Sequence, residues 1–167
     1  MTTKPSSRLR RQLLAAALAL LGLHAAPAVA DGRKHAARGP LLPSYQQECA
    51  SCHLAYPPGM LPASAWQRLM DGLPRHFGTD ASLEPALARE IGDWLQAQAA
   101  GGRASRKDAA APAEDRITRS AWFLREHREL RAETWARPSI QRESNCAACH
   151  PRADQGDFDE HRVRIPR

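Results

Sequence analysis

Apolar side chains recur at helical spacing in two stretches that follow the first third of the chain. The first stretch opens with Pro62 and Ser64 and closes with Gly72 and Pro74, residue types that commonly flank a helix. The second runs from about Ser82 to Ala99, with Ser82 as a candidate N-cap and Pro85 tolerated in the first turn. Both stretches therefore predict amphipathic helices. Their apolar positions are Trp66, Leu69, Met70 and Leu73 in the first, and Leu83, Leu87, Ile91, Trp94 and Leu95 in the second.

Two further segments have a weaker helical pattern. A short helix is expected over Tyr45 to Cys52, and a longer one from about Thr118 to Glu133, with Thr118 as its cap. No segment alternates apolar and polar residues over a useful length, so no strand is predicted. The fold class indicated is mostly α, with little or no β structure. The apolar residues of the longer helix are Trp122, Phe123, Leu124 and Leu130.

The first 30 residues have the pattern of a secretory signal peptide. A basic start is followed by the apolar run from Leu13 to Leu23, which is too short to span a bilayer, and then by Ala28-Val29-Ala30. We expect export to the periplasm with cleavage after about Ala30, and no membrane span afterwards. The alternative is a short membrane anchor.

Removal of that segment changes what the charge implies. The full chain has a net charge of +6 and a pI near 9.7, values typical of nucleic-acid or membrane-surface binders. Residues 31–167 contain 20 Lys and Arg against 18 Asp and Glu, a net charge of only +2. Nucleic acid is therefore not expected as the main partner.

Residues 31–167 contain few large aliphatic or Phe side chains. Leu, Ile, Val and Phe make up 19 of these 137 residues, or about 14%. A content below about 20% is typical of chains that do not fold by themselves. The chain therefore either stays largely unfolded or takes part of its core from a bound group that is not protein.

The four cysteines occur in two identical patterns. Cys49-Ala50-Ser51-Cys52-His53 and Cys146-Ala147-Ala148-Cys149-His150 both have the C-x-x-C-H spacing of covalent c-type haem attachment. Two thiols would bind one haem, and the following histidine would be the proximal iron ligand. Zinc and disulfides are alternatives that require no histidine after each pair, and a thioredoxin-like site requires a βαβ context. Two haem c groups are expected, and they would supply the missing core.

The remaining composition suggests a division into two haem lobes. An N-terminal lobe is predicted over residues 31–100, including a flexible leader at 31–44, and a C-terminal lobe over residues 115–167. Residues 101–114 contain almost no large apolar side chain and are interpreted as the linker between the lobes.

Each iron also requires a second axial ligand or keeps an open position. We predict His76 opposite His53 at the first iron, because 23 residues are enough to reach the other haem face. We predict His127 opposite His150 at the second, because it follows apolar residues on an expected helix. The rival ligands are Met60 for the first haem and His161 for the second, and His35 is expected to be solvated.

Beyond these motifs, the chain resembles the soluble bacterial dihaem cytochromes c, whose best-known members donate electrons to an oxygen-binding haem protein. The resemblance implies bis-His ligation at His53 with His76 and at His127 with His150, and an electron shuttle. It also implies redox partners, such as a membrane cytochrome b as donor and a soluble haem protein as acceptor. Met60 departs from the aliphatic residue expected there. The matching stretches are residues 49–62, Ser64-Ala65-Trp66, His76-Phe77-Gly78, Ala81-Ser82-Leu83, Trp122-Phe123, Glu126-His127-Arg128, residues 145–150 and Gly156-Asp157-Phe158.

The function predicted is electron transport by a periplasmic dihaem cytochrome c that is not an enzyme. The alternatives are a dihaem peroxidase-like enzyme and a haem sensor, each with one open iron position. Carbon monoxide binding to the reduced protein separates both alternatives from a closed carrier.

Overall fold

The computed structural model describes residues 40–99 and 110–167. The predicted signal peptide at 1–30, the leader up to residue 39, His35 and most of the predicted linker lie outside these ranges. The division into two lobes joined at residues 101–114 therefore stays a prediction.

The described residues are helical and contain no β-strand, which confirms the predicted fold class. One isolated β-bridge joins His76 and Thr79. The α-helices are α1 (Pro43–Cys49), α2 (Ala63–Asp71), α3 (Pro85–Ala99), α4 (Ala121–Glu126) and α5 (Ala132–Trp135). Short 3₁₀ segments are Pro58–Met60, Leu73–Arg75, Ala113–Asp115, Ile117–Arg119, Cys146–Ala148, Ala153–Gln155 and Glu160–Arg162.

Helix α2 has the bounds that the sequence pattern predicts. Pro62 is its N-cap, and Gly72 ends it by donating its backbone N–H to the carbonyls of Arg68 and Leu69. A Cβ atom on Gly72 would lie only 3.1 Å from the Arg68 oxygen. Glycine therefore suits this close approach at the end of the helix.

Helix α3 begins at Pro85, three residues later than the sequence indicated. The Glu84 side chain accepts hydrogen bonds from the backbone N–H groups of Ala86 and Leu87. Ser82, the predicted cap, instead donates its hydroxyl to Asp80 in the preceding turn. The longer carboxylate of Glu84 satisfies the free N–H groups of the first turn, and Ser82 does not cap the helix.

The long helix predicted over residues 118–133 is wrong. Helix α4 starts after Ser120, whose hydroxyl accepts from the Phe123 N–H, and it ends at His127. Four of the five residues from 125 to 129 are Arg or Glu, and the fifth is His127, so a continued helix would bury little apolar surface. The chain turns at this point and resumes as α5.

The main hydrophobic core lies between α1, α2 and α3. Ile91 and Leu95 are completely buried there, and each contributes about 1.5–3 kcal/mol by leaving water. The second half of the described chain buries few large side chains, consistent with its low aliphatic content. The N-terminal core cluster comprises Tyr45, Ala55, Leu61, Ala65, Trp66, Ile91, Leu95 and Ala99, and the buried residues after position 110 are Ser120, Trp122, Phe123, Ile140, Cys149 and Ala153.

Direct contacts join residues 40–99 to residues 110–167. The indole N–H of Trp122 donates to the carbonyl of Met60 at 3.1 Å. The guanidinium of Arg68 donates two hydrogen bonds to Asp115, at 2.6 and 3.0 Å. Bidentate pairing of this kind fixes orientation as well as distance.

Near the C-terminus, Asp157 organises a turn through its carboxylate. It accepts from the backbone N–H of Asp159 and pairs with the guanidinium groups of Arg152 and Arg162. These interactions, the backbone hydrogen bond first, lower the pKa of Asp157.

Candidate functional site

The first C-x-x-C-H motif lies where α1 ends. Cys49 is the last residue of the helix, and the N–H of His53 donates to its carbonyl. Burial raises the pKa of the Cys49 thiol to about 11, with smaller contributions from Glu48 and Cys52. The Cys49 thiol therefore stays protonated at neutral pH.

The rings of His53 and His76 lie next to each other at the first site. Their ring centroids are 6.1 Å apart, and the ring planes differ by 24°. The Nδ1–H of His53 donates to the carbonyl of Leu54 at 2.7 Å, which leaves Nε2 free for another interaction. The Nδ1 atom of His76 is buried and has no hydrogen-bond partner.

A compact loop holds His76 in this position. After α2, the 3₁₀ segment Leu73–Arg75 turns the chain, and the N–H of Ala81 returns to the carbonyl of Leu73 at 2.9 Å. Phe77 and Gly78 follow with φ values of 48° and 95°. A bulky residue at positive φ is strained, so the surrounding contacts must hold this turn.

The second motif is also in a short helical turn. Cys146 begins a 3₁₀ segment, and the N–H of His150 donates to the Cys146 carbonyl at 2.8 Å. Burial is the main cause that raises the pKa of Cys146 to about 11. This thiol, too, is protonated at neutral pH.

His127 and His150 form the second pair of neighbouring rings. Their centroids are 6.3 Å apart, and the planes differ by 75°. The Nδ1–H of His127 donates to the carbonyl of Phe123 at 2.9 Å, and the Phe123 ring stacks on the imidazole at 4.1 Å. Helix α4 therefore positions His127 at its C-terminal end, and His127 is not on the face of a longer helix.

The spacing of both pairs fits an iron atom between two imidazoles. Two metal–nitrogen bonds of about 2 Å, plus about 1.1 Å from each nitrogen to its ring centre, give about 6.2 Å. The measured separations are 6.1 and 6.3 Å. In His53 and His127, Nδ1–H donates to a backbone carbonyl, which selects the tautomer whose unprotonated Nε2 can bind a metal. This arrangement is usual for metal-binding histidines.

Burial also favours the neutral form of two of these rings. It is the main cause that lowers the pKa of His76 and of His150, and the facing histidine in each pair lowers it further. Neutral imidazole is the form that binds metals. The residues present therefore fit two haem groups.

The geometry offers less to the zinc and disulfide interpretations of the motifs. All four cysteines are free thiols. Within residues 40–99 and 110–167, no group of three or more His, Cys, Asp or Glu side chains is arranged to hold a metal ion. A structural zinc site requires four such ligands, with the thiols deprotonated.

The rival ligands have other surroundings. Met60 lies in the segment Pro58–Met60, and its carbonyl accepts the Trp122 indole N–H. His161 is exposed, and its backbone N–H donates to the Asp159 carboxylate. The structure thus brings together His53 with His76 and His127 with His150, while the roles of all these residues stay predictions.

Several aromatic side chains that the sequence did not assign to the site lie beside these histidines. The ring of Tyr56 stacks on His53. The ring centroids of Phe158 and His150 are 5.2 Å apart, and those of Phe77 and His76 are 4.8 Å apart. The ring centroid of Trp135 is 5.8 Å from that of His127. The only sequence signal for Tyr56, Phe77 and Phe158 was their place in the stretches that carry the family resemblance.

A cavity of about 360 Å³ lies beside His76. Its lining includes three arginines, of which Arg68 pairs with Asp115 and Arg116 pairs with Glu114 and stacks on Phe77. Guanidinium groups suit carboxylates such as haem propionates. The full lining is Arg68, Leu69, Gly72, Arg75, His76, Phe77, Glu114 and Arg116.

Comparison with known proteins found a matching family model and similar solved structures. The family model of dihaem cytochrome c matches residues 45–158. The fold is similar to a dihaem cytochrome c from Rhodobacter sphaeroides, with 37% identity, a TM-score of 0.62, and coverage of 70% of this chain and 96% of that one. It is also similar to a dihaem cytochrome type c from Shewanella baltica OS155, with 34% identity, a TM-score of 0.63, and coverage of 74% and 92%. No curated protein matches the chain.

Proposed function

Because the chain belongs to the dihaem cytochrome c family, we propose that it is a periplasmic electron shuttle with two bis-His haems. Members of this family hold two covalently bound haem c groups and carry electrons. The spacing of the two histidine pairs, 6.1 and 6.3 Å, carries the proposal of bis-His ligation. A bound haem c supplies an iron that alternates between the +3 and +2 states.

The chain's own residues attach and orient each group. Cys49 and Cys52 attach the first, with His53 and His76 as axial ligands. Leu54 fixes the tautomer of His53 through its backbone carbonyl. Since both axial positions are filled by protein, neither ligand has to be exchanged when the iron changes oxidation state, and no position is left for substrate.

The second site repeats this arrangement on shorter elements. Cys146 and Cys149 attach the group, with His150 and His127 as axial ligands. The Phe123 carbonyl sets the tautomer of His127, and the Phe123 ring excludes water from one side of that imidazole. Both supports come from α4, so this helix holds His127 in place at the second site.

The proposed location rests on the signal peptide predicted for residues 1–30. No helix among the described residues is long and apolar enough to cross a membrane. Redox proteins are the expected partners, with a membrane cytochrome b as donor and a soluble haem protein as acceptor. The identities of these two partners rest on the family resemblance alone.

Spectroscopy of the holoprotein tests the ligation. We expect both haems to be low-spin when oxidised and the reduced protein to bind no carbon monoxide. His76→Ala and His127→Ala should each open one iron and allow one carbon monoxide to bind. Met60→Leu and His161→Ala are the matched controls and should behave as wild type.

Other outcomes would point to the alternatives. A high-spin signal or carbon monoxide binding in the wild-type protein would favour the peroxidase-like enzyme or the sensor. A charge-transfer band from methionine to iron that disappears in Met60→Leu would replace His76 with Met60.

A further inference from the structure

Tyr56 contacts His53 of the first site and the backbone two residues before Cys146 of the second. Its ring stacks on the imidazole of His53, with centroids 5.3 Å apart and planes 26° apart. Its hydroxyl donates to the carbonyl of Ser144 at 3.2 Å, across a sequence separation of 88 residues. Ser144 precedes Cys146 by two positions. One side chain thus joins the proximal histidine of the first site to the attachment segment of the second.

The hydrophobic core fixes the backbone of Tyr56. Its carbonyl accepts the hydroxyl of Tyr45 at 2.8 Å. Tyr45 is only 2% exposed and packs against the rings of Trp66 and Trp94. The position of the Tyr56 ring is therefore set by the packing between α1, α2 and α3.

The hydroxyl of Tyr56 is the donor of its hydrogen bond to Ser144, because a backbone carbonyl can only accept. The Ser144 carbonyl that accepts this hydrogen bond also lies 3.7 Å from the Cys146 sulfur. The hydrogen bond consequently ends at the atoms next to the second attachment point.

We propose that Tyr56 is a positioning residue that bridges the two haem sites and provides the contact along which one electron passes between them. The proposal rests on the proposed function, because it takes His53 and Cys146 as parts of the two haem sites. In each transfer one ferrous iron is oxidised and the other, ferric iron is reduced. Tyr56 itself is neither oxidised nor deprotonated, so no proton has to move.

The test compares two variants that each lose one hydroxyl group. Tyr56→Phe keeps the ring beside His53 but removes the bond to Ser144. Tyr45→Phe removes a hydroxyl whose bond stays within residues 45–56. Haem-methyl NMR of half-reduced holoprotein measures electron exchange between the two sites, and amide hydrogen exchange measures opening of residues 140–150.

In Tyr56→Phe we expect slower exchange between the haems, with both low-spin spectra unchanged. Opening of residues 140–150 should increase about fivefold, equivalent to one hydrogen bond of about 1 kcal/mol. Tyr45→Phe, which keeps the buried ring of Tyr45 but frees the Tyr56 carbonyl, should slow electron exchange between the haems much less than Tyr56→Phe does. Tyr56→Leu, which also removes the ring stack, should slow electron exchange further.

Unchanged electron exchange in both Tyr56 variants, or an equal decrease in Tyr45→Phe, would overturn the bridge. Failure of the proposed function itself is recognised separately. In that case the wild-type protein would have an open or Met-ligated iron before any tyrosine is changed.

Discussion

Replacement of Ser120 by alanine tests how the second histidine pair is supported. The Ser120 hydroxyl accepts from the Phe123 N–H at 3.2 Å and donates to the Ile117 carbonyl at 2.7 Å. Ser120 is only 5% exposed, so water cannot easily replace the lost hydroxyl. Loss of a buried cap should reduce the free energy of unfolding by about 1–2 kcal/mol. The unfolded-to-folded ratio would then rise by a factor of about 5–30.

Thr118→Ala is the matched control, because the sequence pattern favoured Thr118 as the cap. Within the described residues the Thr118 side chain makes no hydrogen bond, and its replacement should change stability by less than about 0.5 kcal/mol. Denaturant unfolding of the holoprotein, followed by far-UV circular dichroism, measures both variants at unchanged m-value. An equal loss in the two variants, or a larger one in Thr118→Ala, would refute this account of α4.

Three further predictions concern backbone strain, acid stability and the bound groups. Gly78→Ala should lower the thermal midpoint because φ is +95° there, although nothing lies within 4 Å of the new Cβ. Gly92→Ala should raise the thermal midpoint, because alanine favours the helix and its Cβ would lie at ordinary contact distance from Met70. Asp157 has a lowered pKa when folded, so its stabilising effect is present above its unfolded pKa of about 3.9 and is lost as the pH falls through the folded value. Thermal unfolding of Asp157→Asn should therefore show a smaller loss of stability than wild type between neutral and acidic pH. An equal loss in the two proteins would contradict the stabilising role of the Asp157 carboxylate. Replacement of both Cys49 and Cys52 by serine should prevent attachment of the first haem and leave residues 40–99 largely unfolded, which circular dichroism would detect as lost helix content. Native helix content in that variant would contradict the idea that haem completes the core.

Local signals predicted most of the first half of the chain. Helix α2 matches its prediction because Pro62 and Gly72 are strong local boundaries that long-range packing did not override. The start of α3 differs from the prediction, because Ser82 was expected as the cap and Glu84 takes that role. Only the folded geometry shows that the Glu84 carboxylate reaches the free N–H groups.

The second half was harder to predict because its helices are short. Apolar spacing suggested that Leu124 and Leu130 continue one buried face around His127. In the structure Leu124 is 57% exposed, and His127 ends α4. A four- to six-residue helix buries too little surface to produce a clear periodic pattern, so packing decides where it ends.

The sequence alone determined the chemistry of the chain, because covalent haem attachment requires two thiols and a histidine within five consecutive residues. It also indicated a core too small to form without a bound group. The sequence also predicted that His76 pairs with His53 and His127 with His150, but only the tertiary structure sets their separations, which match an iron between two rings. The tertiary structure also placed Tyr56 against Ser144, 88 residues away. Contacts between distant residues depend on how the helices pack, and no local pattern specifies that packing.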